Sequence, residues 1–344
     1  MSDTGFTPAA RFLLVAAAFV LVVAGMRAAT PLIAPFLLAV FIAVIAAPLL
    51  NALTRRGLPY WAAMLVVVVG IALLGALLSV LVAGSVDGFK ANLPEYQQRL
   101  RALTGHSNAW LNAHGIHIPR ETLQTYLDPA KLLGVAGELI SGLSGALTNA
   151  LLILLTVIFI LLEAKTLPAK LTAALSTPEH SIARLEAVMD SINQYMGIKT
   201  LVSLGTGLVV WIWLASIGVD FAVLWGVLAF LLNYIPTVGS ILAAIPAVLL
   251  AVVQISLPTA LLVAVGYAVI NTVVGSIVEP RVMGRGLGLS TLVVFISLVF
   301  WGWVLGPVGM FLSVPLTMAV KIALDANPQT RPIAIMLGGE IRGR

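Results

Sequence analysis

The sequence contains no cysteine and few charged residues. Of its 344 residues none is cysteine and only 10% are charged. The lack of cysteine excludes disulfides, thiolate metal sites and cysteine nucleophiles. Soluble domains carry about a quarter charged residues, whereas hydrophobic residues make up 60% of this chain. So few charges could not cover such an interior in water, and the composition therefore predicts an integral membrane protein.

The chain also lacks a basic surface that would bind nucleic acid. The net charge is +5, but the Lys and Arg residues are scattered in short loops between apolar runs, and no basic face with interleaved aromatic residues is present. This distribution follows the positive-inside rule and predicts cytoplasmic N- and C-termini, with Arg27 as an exception on the outer side. The basic clusters are Arg55 with Arg56, Lys165 with Lys170 and Arg184, Arg281 with Arg285, and Lys321 with Arg331, Arg342 and Arg344.

Enzyme signatures are scarce as well. Residues 142–145 read Gly-Leu-Ser-Gly, a pattern of intramembrane serine proteases, but such an enzyme also needs a histidine within a span. All histidines lie in polar segments, and no Gly-x-x-x-x-Gly-Lys-Ser/Thr loop is present to bind ATP. His114 and His117 alone are a weak metal signal. We therefore predict no enzymatic activity, no catalytic residue, no cofactor and no metal.

The apolar runs are continuous blocks of Leu, Val, Ile and Ala, without the alternation of barrel strands, so they predict membrane-spanning helices. The first run is followed at once by another and is interpreted as a span, not a signal peptide. The predicted fold is an all-α polytopic membrane protein with about six full spans, two inverted broken hairpins and a small extramembrane helical domain. The six spans are Phe12–Met26, Pro31–Leu53, Trp61–Val82, Ala146–Leu162, Thr200–Ile217 and Thr259–Val278.

Polar stretches divide the chain into predicted regions. In the first stretch Leu93, Tyr96, Leu100 and Leu103 have helical spacing, and Gly105, Pro119 and Asp128-Pro129 are expected to break the helix. In the second, an amphipathic helix that starts near Pro178 is expected to run into the fifth span. The regions are the first three spans (1–86), an extracytoplasmic helical domain (87–145), the fourth span with the cytoplasmic amphipathic helix (146–199), the transport core (200–325) and a cytoplasmic tail (326–344).

The first broken hairpin is predicted over residues 221–254. Phe221–Leu232 is apolar, a break follows from Asn233 to Gly239, and Ser240–Gln254 is apolar again with Pro246 inside. A first arm of this length reaches only about 18 Å at about 1.5 Å per residue, well short of the roughly 30 Å hydrocarbon core. The segment is therefore interpreted as a re-entrant hairpin.

A second hairpin of the same design is predicted over residues 290–321. Leu292–Leu305 precedes the break at Gly306, Pro307 and Gly309, and Met310–Val320 follows with Pro315 inside. The span between the hairpins reverses the side from which each enters. Paired Gly/Pro breaks in opposite orientations are typical of the substrate path of secondary transporters. The alternative is that these residues only kink full-length spans.

Few polar residues accompany the hairpins. Glu279 is the acid best placed near both of them, and its role stays open between proton or cation coupling and a structural pair with Arg281 or Arg285. Asn233, Tyr234, Gln254 and Asn271 could bind a polar solute, although Asn271 could equally join two helices.

Three sequence blocks resemble the autoinducer-2 exporter family of permeases. They are Asn233-x-x-Pro236-x-x-Gly239 with Pro246, Glu279-Pro280-Arg281-x-x-Gly284 with Leu287-Gly288-Leu289, and Gly306-x-x-Gly309 with Pro315-Leu316. The resemblance covers most of the chain and is strongest in its last third. Ser290-Thr291 departs from the pattern, because related sequences often have proline there.

The resemblance implies a bacterial inner-membrane transporter that forms homo-oligomeric rings, with a pentamer as the expected size. Its members are associated with autoinducer-2 export or with sodium/proton antiport. We therefore expect a secondary transporter of a small polar solute or cation, with a passive channel or a non-transporting scaffold as alternatives. The predicted substrate path is Asn233, Tyr234, Pro236, Gly239, Asn271, Gly306, Pro307 and Gly309; the predicted coupling or latch pair is Glu279 and Arg281; the predicted structural breaks are Pro246, Pro280, Gly284 and Pro315.

Overall fold

The structure, a computed structural model, describes residues 7–113, 149–164, 166, 170, 178–236, 238–283, 289–325 and 328–339. Over these ranges the chain is helical and contains no strand. The first helices are α1 Pro8–Ala28, α2 Thr30–Arg55, α3 Tyr60–Ala113, α4 Ala150–Ala164, α5 Pro178–Ile217 and α6 Ala222–Leu232. The remaining helices are α7 Val238–Gln254, α8 Leu257–Val273, α9 Glu279–Met283, α10 Thr291–Phe311, α11 Ser313–Asp325 and α12 Arg331–Met336.

Five helical segments of the described chain are long and apolar enough to cross a membrane. They are Thr30–Arg55, Tyr60–Phe89, Ile192–Ile217, Leu257–Val282 and Thr291–Phe311. Shorter apolar segments of 10 to 17 residues accompany them in α1, α4, α6 and α7. The predicted all-α polytopic membrane fold is thereby confirmed. The first and fourth predicted spans are helical, but within the described residues they fall into the shorter class.

Helix α5 shows the inverted polarity of a membrane helix. Leu201, Leu204 and Leu208 on one face are 72%, 59% and 49% exposed. Lys199, Ser203 and Thr206, on the opposite face, are buried. In water this arrangement would be reversed. The polar face of α5 therefore packs inside the protein, while the apolar face is available to lipid.

The chain divides into two compact units. One unit comprises Met1–Ile45, Leu155–Ile192 and Gly288–Arg344, and it contains the second hairpin. The other comprises Ala46–Leu154 and Asn193–Leu287, and it contains the first hairpin. The domain boundaries proposed above from polar stretches remain predictions.

The first hairpin is the centre of its unit. Its arms α6 and α7 pack against each other, against α3 and, through α7, against α8. The indole of Trp225 is fully buried in a cluster that also includes Leu214, Leu250 and Val263. Gly207 of α5 and Gly226 of α6 let two backbones approach closely, since a Cβ at either would lie within 2.8 Å of the other's carbonyl oxygen. Small residues commonly serve this purpose between membrane helices.

The second hairpin, formed by α10 and α11, packs against α1. All three helices belong to the unit that contains residues 1–45 and 288–344. Val23 of α1 joins Trp301, Val304 and Leu305 in a small buried cluster. The Thr30 hydroxyl donates to the carbonyl oxygen of Val304 at 2.9 Å, which fixes the α1–α2 turn against α10. This unit therefore holds its hairpin mainly by apolar packing.

Two predicted helix boundaries change in the structure. The prediction that Gly105 breaks the helix is wrong, because α3 continues from the third span through Pro94 and Gly105 to Ala113. A single glycine costs only about 1 kcal/mol in a helix, which local packing can offset. The prediction that the amphipathic helix runs into the fifth span is confirmed, since α5 is continuous from Pro178 to Ile217. The other predicted breakers, Pro119 and Asp128-Pro129, lie outside the described residues.

Candidate functional site

The turn of the first hairpin is shaped by a close backbone contact. Helix α6 ends at Leu232, and α7 begins at Val238. A Cβ at Gly239 would overlap the carbonyl oxygen of Leu232 and would lie 3.0 Å from the Cβ of Ile235. Only glycine fits at this position without moving the backbone. The break predicted between Asn233 and Gly239 is therefore a sharp turn between two helices.

The turn of the second hairpin uses the same device. Gly306 has φ 66° and ψ −150°, outside the helical region and accessible mainly to glycine. A Cβ at Gly309 would overlap the carbonyl oxygen of Trp301 and would lie 2.8 Å from the Cβ of Leu305. In both hairpins a glycine at the start of the return arm packs on a carbonyl at the end of the first arm. This shared geometry is the structural counterpart of the common design predicted for the two hairpins.

A polar cavity of about 400 Å³ lies beside the turn of the first hairpin. Its walls come from α5, the hairpin turn, the start of α7, and α8 with the segments that follow it. The lining side chains are amides, hydroxyls, one ammonium and one carboxylate, with a few small or apolar residues. The lining residues are Lys199, Asn233, Ile235, Pro236, Ser240, Asn271, Thr272, Gly275, Ser276 and Glu279.

Helix α5 fixes the hairpin turn through two side-chain hydrogen bonds. The Asn233 amide nitrogen donates to the Ser203 hydroxyl oxygen at 2.9 Å. The Tyr234 hydroxyl donates to the Thr200 hydroxyl oxygen at 2.7 Å. Tyr234 itself is buried and does not line the cavity. The turn is thus held in place by polar contacts, although most of the surrounding helix surface is apolar.

Lys199 and Glu279 form a buried ion pair at the cavity wall. The Lys199 Nζ lies 2.5 Å from the Glu279 Oε1, and the two side chains are 4% and 22% exposed. Lys199 is the only charged side chain that is buried in the described part of the chain. Burying a single ammonium would be costly, whereas a paired and hydrogen-bonded ammonium can be accommodated. The pair therefore leaves the cavity polar but neutral in total charge.

A π-helical segment, Val274–Val278, leads directly to Glu279. The backbone N–H of Glu279 donates to the carbonyl of Val274, five residues earlier. Such segments are rare and often occur at functional sites, because the wider turn changes the direction of the following side chains. Asn271, Gly275 and Glu279 recur at intervals of four residues and all line the cavity. The sequence alone predicts an ordinary helical span over Thr259–Val278.

A second polar network anchors the base of the first hairpin. The Tyr96 hydroxyl donates to the Asp220 carboxylate at 2.9 Å. The Asp220 backbone N–H donates to the Gln254 side-chain oxygen at 2.9 Å, and the Trp225 indole donates to the Asp220 carbonyl at 2.9 Å. Burial, with the hydrogen bond to Asp220, raises the pKa of Tyr96 to about 12. Gln254, considered above for solute binding, is engaged in this structural contact.

Four of the predicted site residues meet at the cavity, namely Asn233, Pro236, Asn271 and Glu279. Arg281 is exposed, and the proposed latch between it and Glu279 stays a prediction, since the structure pairs Glu279 with Lys199. Gly284 and Arg285 lie outside the described residues. Gly306, Pro307 and Gly309 belong to the other unit, so their predicted role in the path is untested. Pro246, Pro280 and Pro315 lie inside α7, α9 and α11.

Lys199 and four hydroxyl residues of this site are not predicted from the sequence; the hydroxyl residues are Ser203, Ser240, Thr272 and Ser276. The sequence places Lys199 at the edge of a polar stretch, which predicts a position at the cytoplasmic surface. The available signal is its register, because Tyr195, Lys199 and Ser203 recur every four residues and so share one face of a helix that continues into an apolar span. A polar stripe on an apolar helix indicates a side that faces the protein interior.

Comparison with known proteins also indicates a membrane transport protein. A family model described as AI-2E family transporter matches residues 14–329. The AI-2 transport protein TqsA of Escherichia coli (strain K12) is 42% identical over 318 residues, which cover 92% of this chain and 92% of the relative. A Haemophilus influenzae protein is 42% identical over 336 residues, covering 95% of this chain and 96% of the relative. YhhT of Escherichia coli (strain K12) is 40% identical over 326 residues, covering 95% and 93%.

The last two relatives are named provisionally as transport proteins, without a substrate. The resemblance inferred from the three sequence blocks is confirmed. Membership of a transporter family is consistent with the membrane-length helices and with the polar cavity beside a broken hairpin. The chain is a multi-pass membrane protein with a role in transport, and it belongs to the AI-2E family of transporters.

Proposed function

We propose that this protein is a secondary transporter that exports a small, polar, uncharged solute across the bacterial inner membrane. The observation that carries the proposal is the cavity of about 400 Å³ at the turn of the first hairpin, lined by amides, hydroxyls and a neutral ion pair. In a chain of this hydrophobicity, burying so many polar groups inside one unit is costly, and polar groups inside a membrane protein commonly mark a substrate or ion pathway.

The lining favours a particular class of solute. Small-molecule sites commonly have volumes of about 300–1,000 Å³, so this cavity suits a molecule of roughly monosaccharide size. Asn271, Ser276 and Thr272 offer hydrogen bonds without net charge. Because the charges of Lys199 and Glu279 cancel, neither an anion nor a cation gains an unpaired partner. Autoinducer-2, named for the Escherichia coli relative, is our candidate solute.

The ion pair also suggests how one side of the path closes. Lys199 belongs to α5, and Glu279 follows the π-helical segment, so their contact holds two cavity walls together. Asn233 and Tyr234 hold the hairpin turn against α5 in the same way. In our proposal, solute release requires these contacts to part, which is a local rearrangement of one broken hairpin. Broken helices of this kind line the substrate sites of many secondary transporters.

Cation/proton antiport is the second candidate, and the buried Lys199–Glu279 pair favours it. An ionisable pair in the interior of a membrane protein is a common feature of proton relays. Homo-oligomeric assembly, with a pentamer as the expected size, and cytoplasmic termini are further parts of the proposal that call for direct measurement.

The test is transport by the purified protein in proteoliposomes. Vesicles loaded with autoinducer-2 are diluted into buffers with imposed proton or sodium gradients, and solute release is followed together with internal pH. We expect release that accelerates with a gradient and saturates with solute. Cation-dependent pH changes without solute would favour antiport, and fast solute flux indifferent to every gradient would favour a channel. Protein-free vesicles serve as the control, and the variant Gly239→Leu tests whether release depends on the hairpin turn.

A further inference from the structure

A groove of about 650 Å³ lies between α1 and α10, within one unit, and shares no lining residue with the polar cavity. Its walls include Phe19, Val20 and Val23 of α1 and Phe300 of α10. The rings of Phe19 and Phe300 stack with centroids 6.3 Å apart. Phe19 and Val20 are 59% and 63% exposed, so the groove opens outward and is almost entirely apolar.

One end of the groove carries a positive charge. Arg27, in the last turn of α1, places its guanidinium carbon 4.7 Å from the ring centroid of Trp303. The nearby bond from the Thr30 hydroxyl to the Val304 carbonyl fixes this end of α1 against α10. Arg27 is exposed, and no carboxylate of the described residues lies within ion-pair distance of it. Stacking on the ring leaves the N–H groups at the guanidinium edge available to an anion.

The dimensions of the groove match one leaflet of a bilayer. From Phe19 to Arg27 the helix rises about 12 Å, at about 1.5 Å per residue, compared with about 15 Å for half of the hydrocarbon core. Tryptophan concentrates at the level of the lipid headgroups, and arginine at helix ends reaches toward the same level. The charged end therefore lies where a lipid phosphate would be, with the apolar walls extending toward the chain region.

We propose that Arg27 and Trp303 bind the phosphate headgroup of an anionic phospholipid, whose acyl chain occupies the groove between α1 and α10. The site accounts for the one arginine that departs from the positive-inside pattern, because its charge meets a lipid phosphate. Charge complementarity favours this occupant over a second copy of the chain, which would have to supply an anion at the same position. The site is independent of the transported solute.

The proposal is tested with the full-length protein in nanodiscs of phosphatidylcholine that contain increasing amounts of brominated phosphatidylglycerol. Bromine quenches tryptophan fluorescence, and the difference between the wild type and Trp303→Phe isolates the signal of Trp303. We expect saturable quenching of Trp303. Arg27→Gln should weaken the apparent affinity about fivefold, since one arginine near the surface contributes about 1 kcal/mol toward anionic lipid. Arg27→Lys should lose less, because it keeps the charge.

The matched control is Arg55→Gln. Arg55 likewise lies in the last turn of a membrane helix, but no aromatic ring of the described residues stacks on it. Equal weakening by Arg27→Gln and Arg55→Gln, or none by either, would overturn the proposal by showing that no specific site exists. Disulfide cross-linking between copies that carry Val20→Cys would overturn it in another way, by showing that a second protomer fills the groove. The natural absence of cysteine makes that assay free of background.

Discussion

The two broken hairpins share one backbone design and differ in their chemistry. In each, a glycine packs on a carbonyl of the preceding arm, Gly239 on Leu232 and Gly309 on Trp301. The first turn is surrounded by amides, hydroxyls and the only buried ammonium of the described chain. Apart from the indole of Trp301, the buried polar side chains of the second hairpin are the hydroxyl groups of Ser297, Ser313 and Thr317.

This difference indicates a division of roles. The two hairpins have the same backbone design, but a binding site needs polar groups at only one of them. In the second hairpin the buried Trp301 indole donates to Thr317 at 3.0 Å, a bond between the two arms that stabilises the hairpin itself. In the first, Asn233 and Tyr234 bond outward to α5. We therefore expect solute chemistry at the first hairpin and packing at the second.

The largest effect on transport is expected from substitution of the turn glycines. Gly239→Ala and Gly309→Ala should each destabilise the protein by about 1–3 kcal/mol, because the added methyl group overlaps a backbone carbonyl. If the division of roles is correct, Gly239→Leu abolishes solute transport at equal membrane abundance. Gly75→Ala is the control, since a Cβ there meets nothing within 4 Å. Normal transport by Gly239→Leu would remove the first turn from the path.

The next effect concerns the buried charge pair beside the first hairpin. Glu279→Gln strands an ammonium that is 4% exposed and should cost about 3 kcal/mol, measured by thermal unfolding in nanodiscs. Lys199→Gln leaves a carboxylate that is 22% exposed and should cost less. The double variant should be more stable than Glu279→Gln alone, since it leaves no buried charge.

The surface pair of Lys170 and Glu163 provides the control for this cycle. Both side chains are more than half exposed, so removing either charge should change stability by about 1 kcal/mol or less. A double Lys199→Gln, Glu279→Gln variant no more stable than Glu279→Gln would contradict the idea that charge neutrality governs the cavity.

The sequence predicts the hairpins better than the cavity. Proline and glycine restrict the backbone locally, so the breaks at Pro236 and Gly306 can be read from the chain itself. The partner of Glu279 lies 80 residues earlier, on α5, and no local pattern relates the two. The π-helical segment at Val274–Val278 is likewise not predicted by the apolar pattern of the span. The length of α3 was missed because a lone glycine weakens a helix without ending it.

A third prediction compares one buried hydroxyl in each hairpin's surroundings. Ser203 accepts from Asn233, and Thr317 accepts from Trp301. Ser203→Ala and Thr317→Val should each cost about 1 kcal/mol, the usual contribution of one hydrogen bond. Only Ser203→Ala should also weaken solute binding, because it frees the side chain of Asn233 at the cavity. Equal effects of both variants on the half-saturating solute concentration would erase the proposed distinction between the hairpins.

The smallest effect concerns the base of the first hairpin, where Tyr96 bonds to Asp220 at 2.9 Å. Burial and this hydrogen bond raise the pKa of Tyr96 from 10 to about 12, so the native state keeps the phenol proton more strongly than the unfolded chain. The resulting stability is complete below pH 10 and is lost as the pH rises toward about 12. The advantage of the wild type over Tyr96→Phe in thermal unfolding should therefore shrink across this window.

Asp220→Asn removes the negative charge but keeps an acceptor, so the tyrosinate absorbance of Tyr96 should then develop at a lower pH. An unchanged difference between wild type and Tyr96→Phe from pH 9 to about 12 would mean that this tyrosine does not anchor the hairpin base through its proton.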